Sequence, residues 1–177
     1  MPAPASPYRL AVRDLVHRAG EMREKSLAFD VPEQLGAAAV VVPAGTPIAI
    51  ELRLEGLHEG ILVSGEVTTT AVGECVRCLD PVTLPVEVEF QEVFAYSPDD
   101  AFDYTVHDNH VDCEPVVRDA VVLSLPFQPV CRPDCPGLDP ETGERRADHP
   151  ERTPREITDP RWAALQGFAA DTNDNTD

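Results

Sequence analysis

Three runs of alternating aliphatic residues set the limits on what this chain can fold into. Ile48, Ile50, Leu52 and Leu54 interleave with Ala49, Glu51, Arg53 and Glu55, and a period of two is the pattern of a strand with one buried and one wet face. Ile61, Val63, Gly65, Val67, Thr69 and Ala71 repeat it with β-branched residues, which fit a pleated surface. Val82, Leu84, Val86, Val88 and Phe90 repeat it again, with Glu87 and Glu89 facing out. The apolar phase shifts at Val93, so the third run is expected to reach Tyr96 through a bulge. Short turns, such as Gly56 to Gly60, separate the runs. Three strands in succession with short turns predict an antiparallel meander.

The flanks add fewer elements. Tyr8 to Val12 alternates well enough for a short strand, with Asp14, Leu15 and Gly20 as turn signals. Ser97 to Asp112 is acidic and loop-like. Asp112 can cap a helix with Pro115 in its first turn; Val116, Val117, Ala120, Val121 and Leu123 give it an apolar face, and Pro126 stops it. Pro129 to Pro154 holds almost no large apolar residue, so its order needs another constraint. A last helix is expected at Arg161 to Ala169, capped by Asp159 and striped by Trp162, Leu165 and Phe168 or Ala169.

The expected class is therefore α+β and β-rich. It comprises an antiparallel meander or partly closed sheet, a packed helix, a cysteine knuckle and a short C-terminal helix. The expected division is a disordered N-terminus at 1–7, a core domain at 8–135, a Pro- and charge-rich loop at 136–158, the C-terminal helix at 159–170 and a disordered tail at 171–177.

Charge narrows the partners. The net charge is −18, and the basic residues are thirteen arginines and one lysine. Such a surface repels phosphate backbones, which argues against non-specific nucleic-acid binding. From Glu51 to Asp119 there are 16 acidic residues against 3 arginines, whereas Met1 to Lys25 carries Arg9, Arg13, Arg18, Arg23 and Lys25 against three acids. This segment reads either as a solvated arm folded over the acidic body or as the place where RNA or an acidic partner is touched.

The longest apolar stretch, Ala37 to Pro43, is far short of a membrane span, and the N-terminus lacks the apolar core of a signal peptide. A cytoplasmic location with no membrane partner is expected, where five cysteines read as thiols or metal ligands rather than disulfides. No G-x-S-x-G, P-loop or dinucleotide fingerprint is present. Glutamates on alternating strand positions read as a solvated face, so neither an enzyme nor a small-molecule substrate is expected.

The cysteines carry the chemistry that remains. Cys75-Val76-Arg77-Cys78 lies in the turn between the second and third runs, and C-x-x-C lets two thiolates converge on one tetrahedral metal. Cys131 and Cys135 could complete a closed structural zinc site and hold the Pro-rich loop. A redox dithiol and four reduced thiols without metal are the competing readings; the former is disfavoured because such thiols usually open a helix. Cys113 reads as a buried small hydrophobe. His107, His110 and Cys113 could gather a metal only with a fourth ligand that the spacing does not supply.

These segments together resemble a known family. Gly73 to Asp80 (GECVRCLD) is similar to the C-x-R-C-L signature of the YceD-like proteins, called large ribosomal RNA subunit accumulation proteins. Asp112 to Pro126 (DCEPVVRDAVVLSLP), Cys131 to Leu138 (CRPDCPGL) and Asp159 to Phe168 (DPRWAALQGF) follow in the family's order. Arg13-Asp14-Leu15 and Gly20-x-Met22-Arg23 resemble its actinobacterial branch. The resemblance implies a bacterial cytoplasmic protein needed for 23S ribosomal RNA to accumulate and the large subunit to assemble. Many relatives continue as Cys-Pro-Gly-Leu-Cys-x-x-Cys-Gly, whereas Asp139 and Thr142 stand at the last two cysteine positions here. A local four-thiolate loop therefore cannot form. Either Cys75 and Cys78 join Cys131 and Cys135 around one zinc ion, or the loop persists by packing alone.

The reading is a non-enzymatic ribosome biogenesis factor that binds a basic ribosomal protein, a large-subunit assembly factor or ribosomal RNA. Arg9, Arg13, Arg18, Arg23, Arg77 and the Trp162 helix are its candidate contacts. The rival is a thiol-redox or metal-handling protein built on the two cysteine pairs.

Overall fold

The computed structural model describes residues 6–37, 39–98, 101–151 and 161. In chain order the strands are β1 (Arg9–Ala11), β2 (Met22–Asp30), β3 (Val40–Val41), β4 (Pro47–Gly56), β5 (Gly60–Glu74), β6 (Pro81–Ala95), β7 (Tyr104–Thr105) and β8 (His110–Asp112). Helix α1 (Glu114–Ser124) and a 3-10 turn (Arg146–Asp148) follow. The chain divides into two compact units, Met1–Cys135 and Pro136–Asp177.

The alternating runs become β4, β5 and β6, antiparallel neighbours in one sheet. Ile48, Ile50, Leu52 and Leu54 are buried on the inner face beside Ile61, Val63 and Val67, while Glu51, Glu66, Glu87 and Glu89 stay in solvent. The expected bulge in β6 is absent. Pairing with β5 runs unbroken from Gly60↔Ala95 to Glu74↔Pro81, and Phe94 keeps to the face of Val86. What read as a phase shift is burial on both faces at the end of β6, where Phe94 and Ala95 are both buried; β7 runs parallel beside them, Phe94 opposite Tyr104 and Ala95 opposite Thr105.

Two more strands extend the sheet. β2 pairs with β4 from Met22↔Glu55 to Asp30↔Pro47, so Arg23 and Lys25 belong to a strand and not to a solvated arm. β3 pairs with Val72 and Gly73 of β5. Gly73 has to be a glycine, because a Cβ there would run into the Ala39 carbonyl. The sheet order is β2-β4-β5-β6-β7, with β3 attached to β5. This is an open path. Among the described residues nothing joins β2 to the β6–β7 side, so the expected partial closure is not seen.

The inner face is covered by the N-terminal segment and α1. β1 pairs with β8, Leu10 opposite Val111. Just beyond, the Val12 N–H donates to the Asn109 carbonyl at 2.8 Å and the Cys113 N–H to the Tyr8 carbonyl at 3.2 Å. Asp112 accepts the Glu114 N–H at 3.1 Å, which satisfies one donor at the start of α1. Val116, Val117 and Val121 of α1 are buried, but Leu123 is 84% exposed. Leu123 continues the Val116 stripe, so the last helical turn runs past the core it packs on. The expected C-terminal helix at 159–170 lies outside the described residues except for Arg161, as do the tail at 171–177 and residues 1–5. No described helix is long and apolar enough to cross a membrane.

Candidate metal centre

The turn between β5 and β6 closes on itself. The Cys75 N–H donates to the Asp80 carbonyl at 2.7 Å and the Leu79 N–H to the Cys75 carbonyl at 2.8 Å. Leu79 takes a left-handed φ of 62°, uncommon for a side chain of this kind. The tight reversal leaves Val76, Arg77 and Leu79 exposed and the Cys75 and Cys78 side chains buried. Backbone bonds then seat the Pro-rich loop beside it. The Val76 N–H donates to the Pro129 carbonyl at 2.9 Å, and one Arg77 nitrogen donates to the carbonyls of Pro133, at 3.0 Å, and Cys135, at 3.2 Å. Cys75, Cys78, Val82 and Cys135 form a small core of their own, flanked by Val130.

The four thiols meet there. Cys75 Sγ lies 3.9 Å from Cys135 Sγ, Cys78 Sγ lies 3.7 Å from Cys131 Sγ, and all four atoms fall within 4.8 Å of one another. None forms a disulfide. With zinc–sulfur bonds near 2.3 Å, a tetrahedral four-thiolate site places its sulfurs about 3.8 Å apart. The geometry and the soft donor set both fit such an ion. Among the described residues this is the only group of three or more metal-ligating side chains brought together.

Electrostatics point the same way. Burial pushes the Cys75 thiol up, but the N–H groups of Cys131, Arg77 and Cys78 and the Cys78 thiol outweigh it and bring it down to about 6. At Cys78 the Asp80 N–H favours the thiolate, yet burial and the thiols of Cys75, Cys135 and Cys131 push it up to about 12. Cys131 is raised by burial and then by its Cys135 neighbour. The cluster thus welcomes one negative charge and opposes more, a balance that a divalent cation inverts.

The other candidate residues do not converge on this cluster. Arg77 is committed to the two loop carbonyls. Arg9 sits on β1 and Arg13 and Arg18 in the exposed turn after it, while Arg23 on β2 forms a two-pronged contact with Asp14 at 2.9 Å and donates to the Ala11 carbonyl at 2.7 Å. Trp162 lies outside the described residues. His107 bonds Thr105 at 2.7 Å and His110 bonds the Asp108 carbonyl at 2.8 Å, while Cys113 is fully buried in the main core. These three build no site. Sequence reasoning missed the carbonyls of Pro129 and Pro133, whose only trace is the density of prolines beside Cys131 and Cys135.

Within the second unit, the positions where relatives are expected to carry cysteine are held by hydrogen bonds. Asp139 accepts the N–H groups of Glu141, at 2.9 Å, and Thr142, at 3.1 Å, and the Thr142 hydroxyl accepts the Glu144 N–H at 3.2 Å. Gly143 turns the chain with a φ of 71°, and Leu138 bridges Arg145. Side-chain oxygens organise this turn.

Comparison with known proteins places the chain. The family model for the large ribosomal RNA subunit accumulation protein YceD matches residues 63–169, a span that includes all four clustered cysteines. An uncharacterized protein of Mycobacterium tuberculosis is 43% identical over 91% of this chain and 81% of its own length. One from Mycobacterium leprae is 36% identical over 93% and 79%. The uncharacterized Bacillus subtilis protein YlbN is 24% identical over 85% and 92%. No solved structure gives a significant match. A β-rich core carrying the C-x-R-C-L turn, matched by that model over more than half its length, makes this chain a member of the YceD family of large ribosomal RNA subunit accumulation proteins.

Proposed function

We propose that the chain is a non-enzymatic factor in large ribosomal subunit production, cytoplasmic, that supports 23S ribosomal RNA accumulation by holding a basic protein partner. The observation that carries this reading is the family match over residues 63–169. The acidic body adds direction. Seven glutamates and one arginine stand on β4, β5 and β6, a field that speeds and orients encounter with a cationic protein and opposes naked RNA. Cys75, Cys78, Cys131 and Cys135 would hold a structural zinc ion that ties the Pro-rich loop to the sheet. Zinc would supply cohesion there and no chemistry.

The test is a ribosome sedimentation profile from a strain lacking the gene. A shortage of large subunits with accumulated precursor is expected; normal large-subunit levels overturn the biogenesis reading. A pull-down from lysate, with and without nuclease, separates a protein partner from an RNA partner. The alternative, a thiol-redox or metal-handling protein, draws on the Cys75 thiol near 6. Thiol titration decides between them. Four slow thiols that react once a chelator is added indicate structural metal, and fast thiols indifferent to chelator indicate redox work.

A further inference from the structure

β6 is an edge strand over most of its length. β7 pairs only with Phe94 and Ala95, and among the described residues nothing pairs with β6 from Pro81 to Val93 on the side away from β5. Its backbone directions follow from three bonds. The Tyr96 N–H donates to Glu59 and the Asp80 carbonyl accepts from Cys75, both toward β5, whereas the Ala95 carbonyl accepts the Val106 N–H on the far side. Even-numbered residues therefore bond β5 and odd-numbered ones face outward, since the register is unbroken. Pro81 and Pro85 fit this parity, as neither has an N–H to give. The N–H and carbonyl groups of Glu87, Glu89 and Gln91 are left open on the edge.

The side chains around that edge choose what can pair with it. Glu51 faces Glu66 on β5, and Glu66 faces Glu89 on β6. Like charges directly opposite destabilise a sheet, and here three stand in one row. Arg53, the one basic residue on these strands, lies 3.7 Å from Glu55. Beside the row, Ser64, Gly65, Glu66, Glu89, Phe90 and Gln91 line a depression of about 500 Å³ that reaches the edge. A second copy of β6 laid along the first would add Glu87 and Glu89 to the same field, so the edge is guarded against itself.

We propose that β6 is a strand-addition site for an extended, Lys/Arg-rich segment of a protein partner. It pairs with the outward backbone of Glu87, Glu89 and Gln91 and sets its cationic side chains against the Glu51–Glu66–Glu89 row. This rests on the reading of a basic protein partner and names the surface that holds it.

The probe is a ten-residue peptide alternating lysine and valine, followed by fluorescence anisotropy and by amide hydrogen exchange of the full chain. Binding is expected to slow exchange at Glu87, Glu89 and Gln91 and to weaken with salt. Glu89→Pro removes an outward N–H without touching the ladder to β5 and is expected to weaken binding at least tenfold. Glu89→Lys, which keeps the backbone intact, is expected to weaken it several-fold. Equal binding by both variants overturns the proposal, as does protection elsewhere in the chain. So does protection of the edge by a single-stranded RNA decamer in place of the peptide. A Glu89→Pro strain with a normal ribosome profile beside a defective deletion strain overturns the edge and leaves the biogenesis reading. A normal deletion strain removes that reading, and the peptide result then stands by itself.

Discussion

Cys78 and Cys131, 53 positions apart in the chain, bring their Sγ atoms to 3.7 Å. The pairing crosses from a hairpin turn to a loop with almost no core of its own, so whatever joins the sulfurs also closes a long loop. If the cluster holds zinc as proposed, Cys131→Ser is expected to abolish its binding and to lower the melting temperature. Circular dichroism of the sheet should survive. Metal analysis and thermal unfolding with and without chelator check this; full zinc content or an unchanged melting temperature would contradict it.

Arg77 acts as a tie and not as a free cation. One terminal nitrogen of its guanidinium reaches the carbonyls of both Pro133 and Cys135, and a lysine, with a shorter and more flexible stem and a more strongly hydrated head, holds that position less well. Arg77→Lys should cost about 1 kcal/mol, because the group is exposed, and should speed amide exchange at Cys135. Exchange indistinguishable from the wild type would show that the loop is held by its sulfurs alone.

Cys113 predicts an alkaline limit to stability. Burial and then Asp112 hold its thiol at about 12 in the folded chain, against an ordinary 9.0. Below 9 the thiol is protonated in both states, and pH has no leverage through it. Between about 9 and 12 only the unfolded chain loses the proton, so stability falls as pH rises. At pH 10.5 the loss is on the order of 2 kcal/mol. The unfolding free energy of Cys113→Ala should start lower and decline less steeply over this range; parallel slopes would refute the assignment.

Gly73→Ala should separate β3 from β5, because the new methyl group meets the Ala39 carbonyl and the Val40 side chain. A loss of about 2 kcal/mol is expected. Faster amide exchange near Val40 and Val41, with β4 unaffected, is the signature to look for.

How much of this was legible in the residues depends on where the information lies. The meander was legible because Ile48 to Phe90 alternates cleanly. β2 was not, since Arg23 and Lys25 share the inward side with Leu27 and Phe29 and break the apolar rhythm. β1 was legible in the alternation of Tyr8 to Val12, but β8, three residues inside a stretch that reads as an acidic loop, is too short to carry a period, and only its pairing defines it. The two cysteine pairs could be read from spacing and their meeting stood as one of two outcomes, but what seats one pair against the other could not be read. It depends on carbonyls of Pro129 and Pro133, and a carbonyl has no residue code.

The bond between β1 and β8 bears on how the molecule is born. Arg9 to Ala11 pair with His110 to Asp112, so the first of the described strands waits for the last of them. Until then the strand that carries Leu10 has no partner, and the inner face of the growing sheet lacks the cover that α1 supplies. Closure is a late step across a hundred residues, slow by its topology. A nascent chain halted before residue 110 would hold a sheet without a lid.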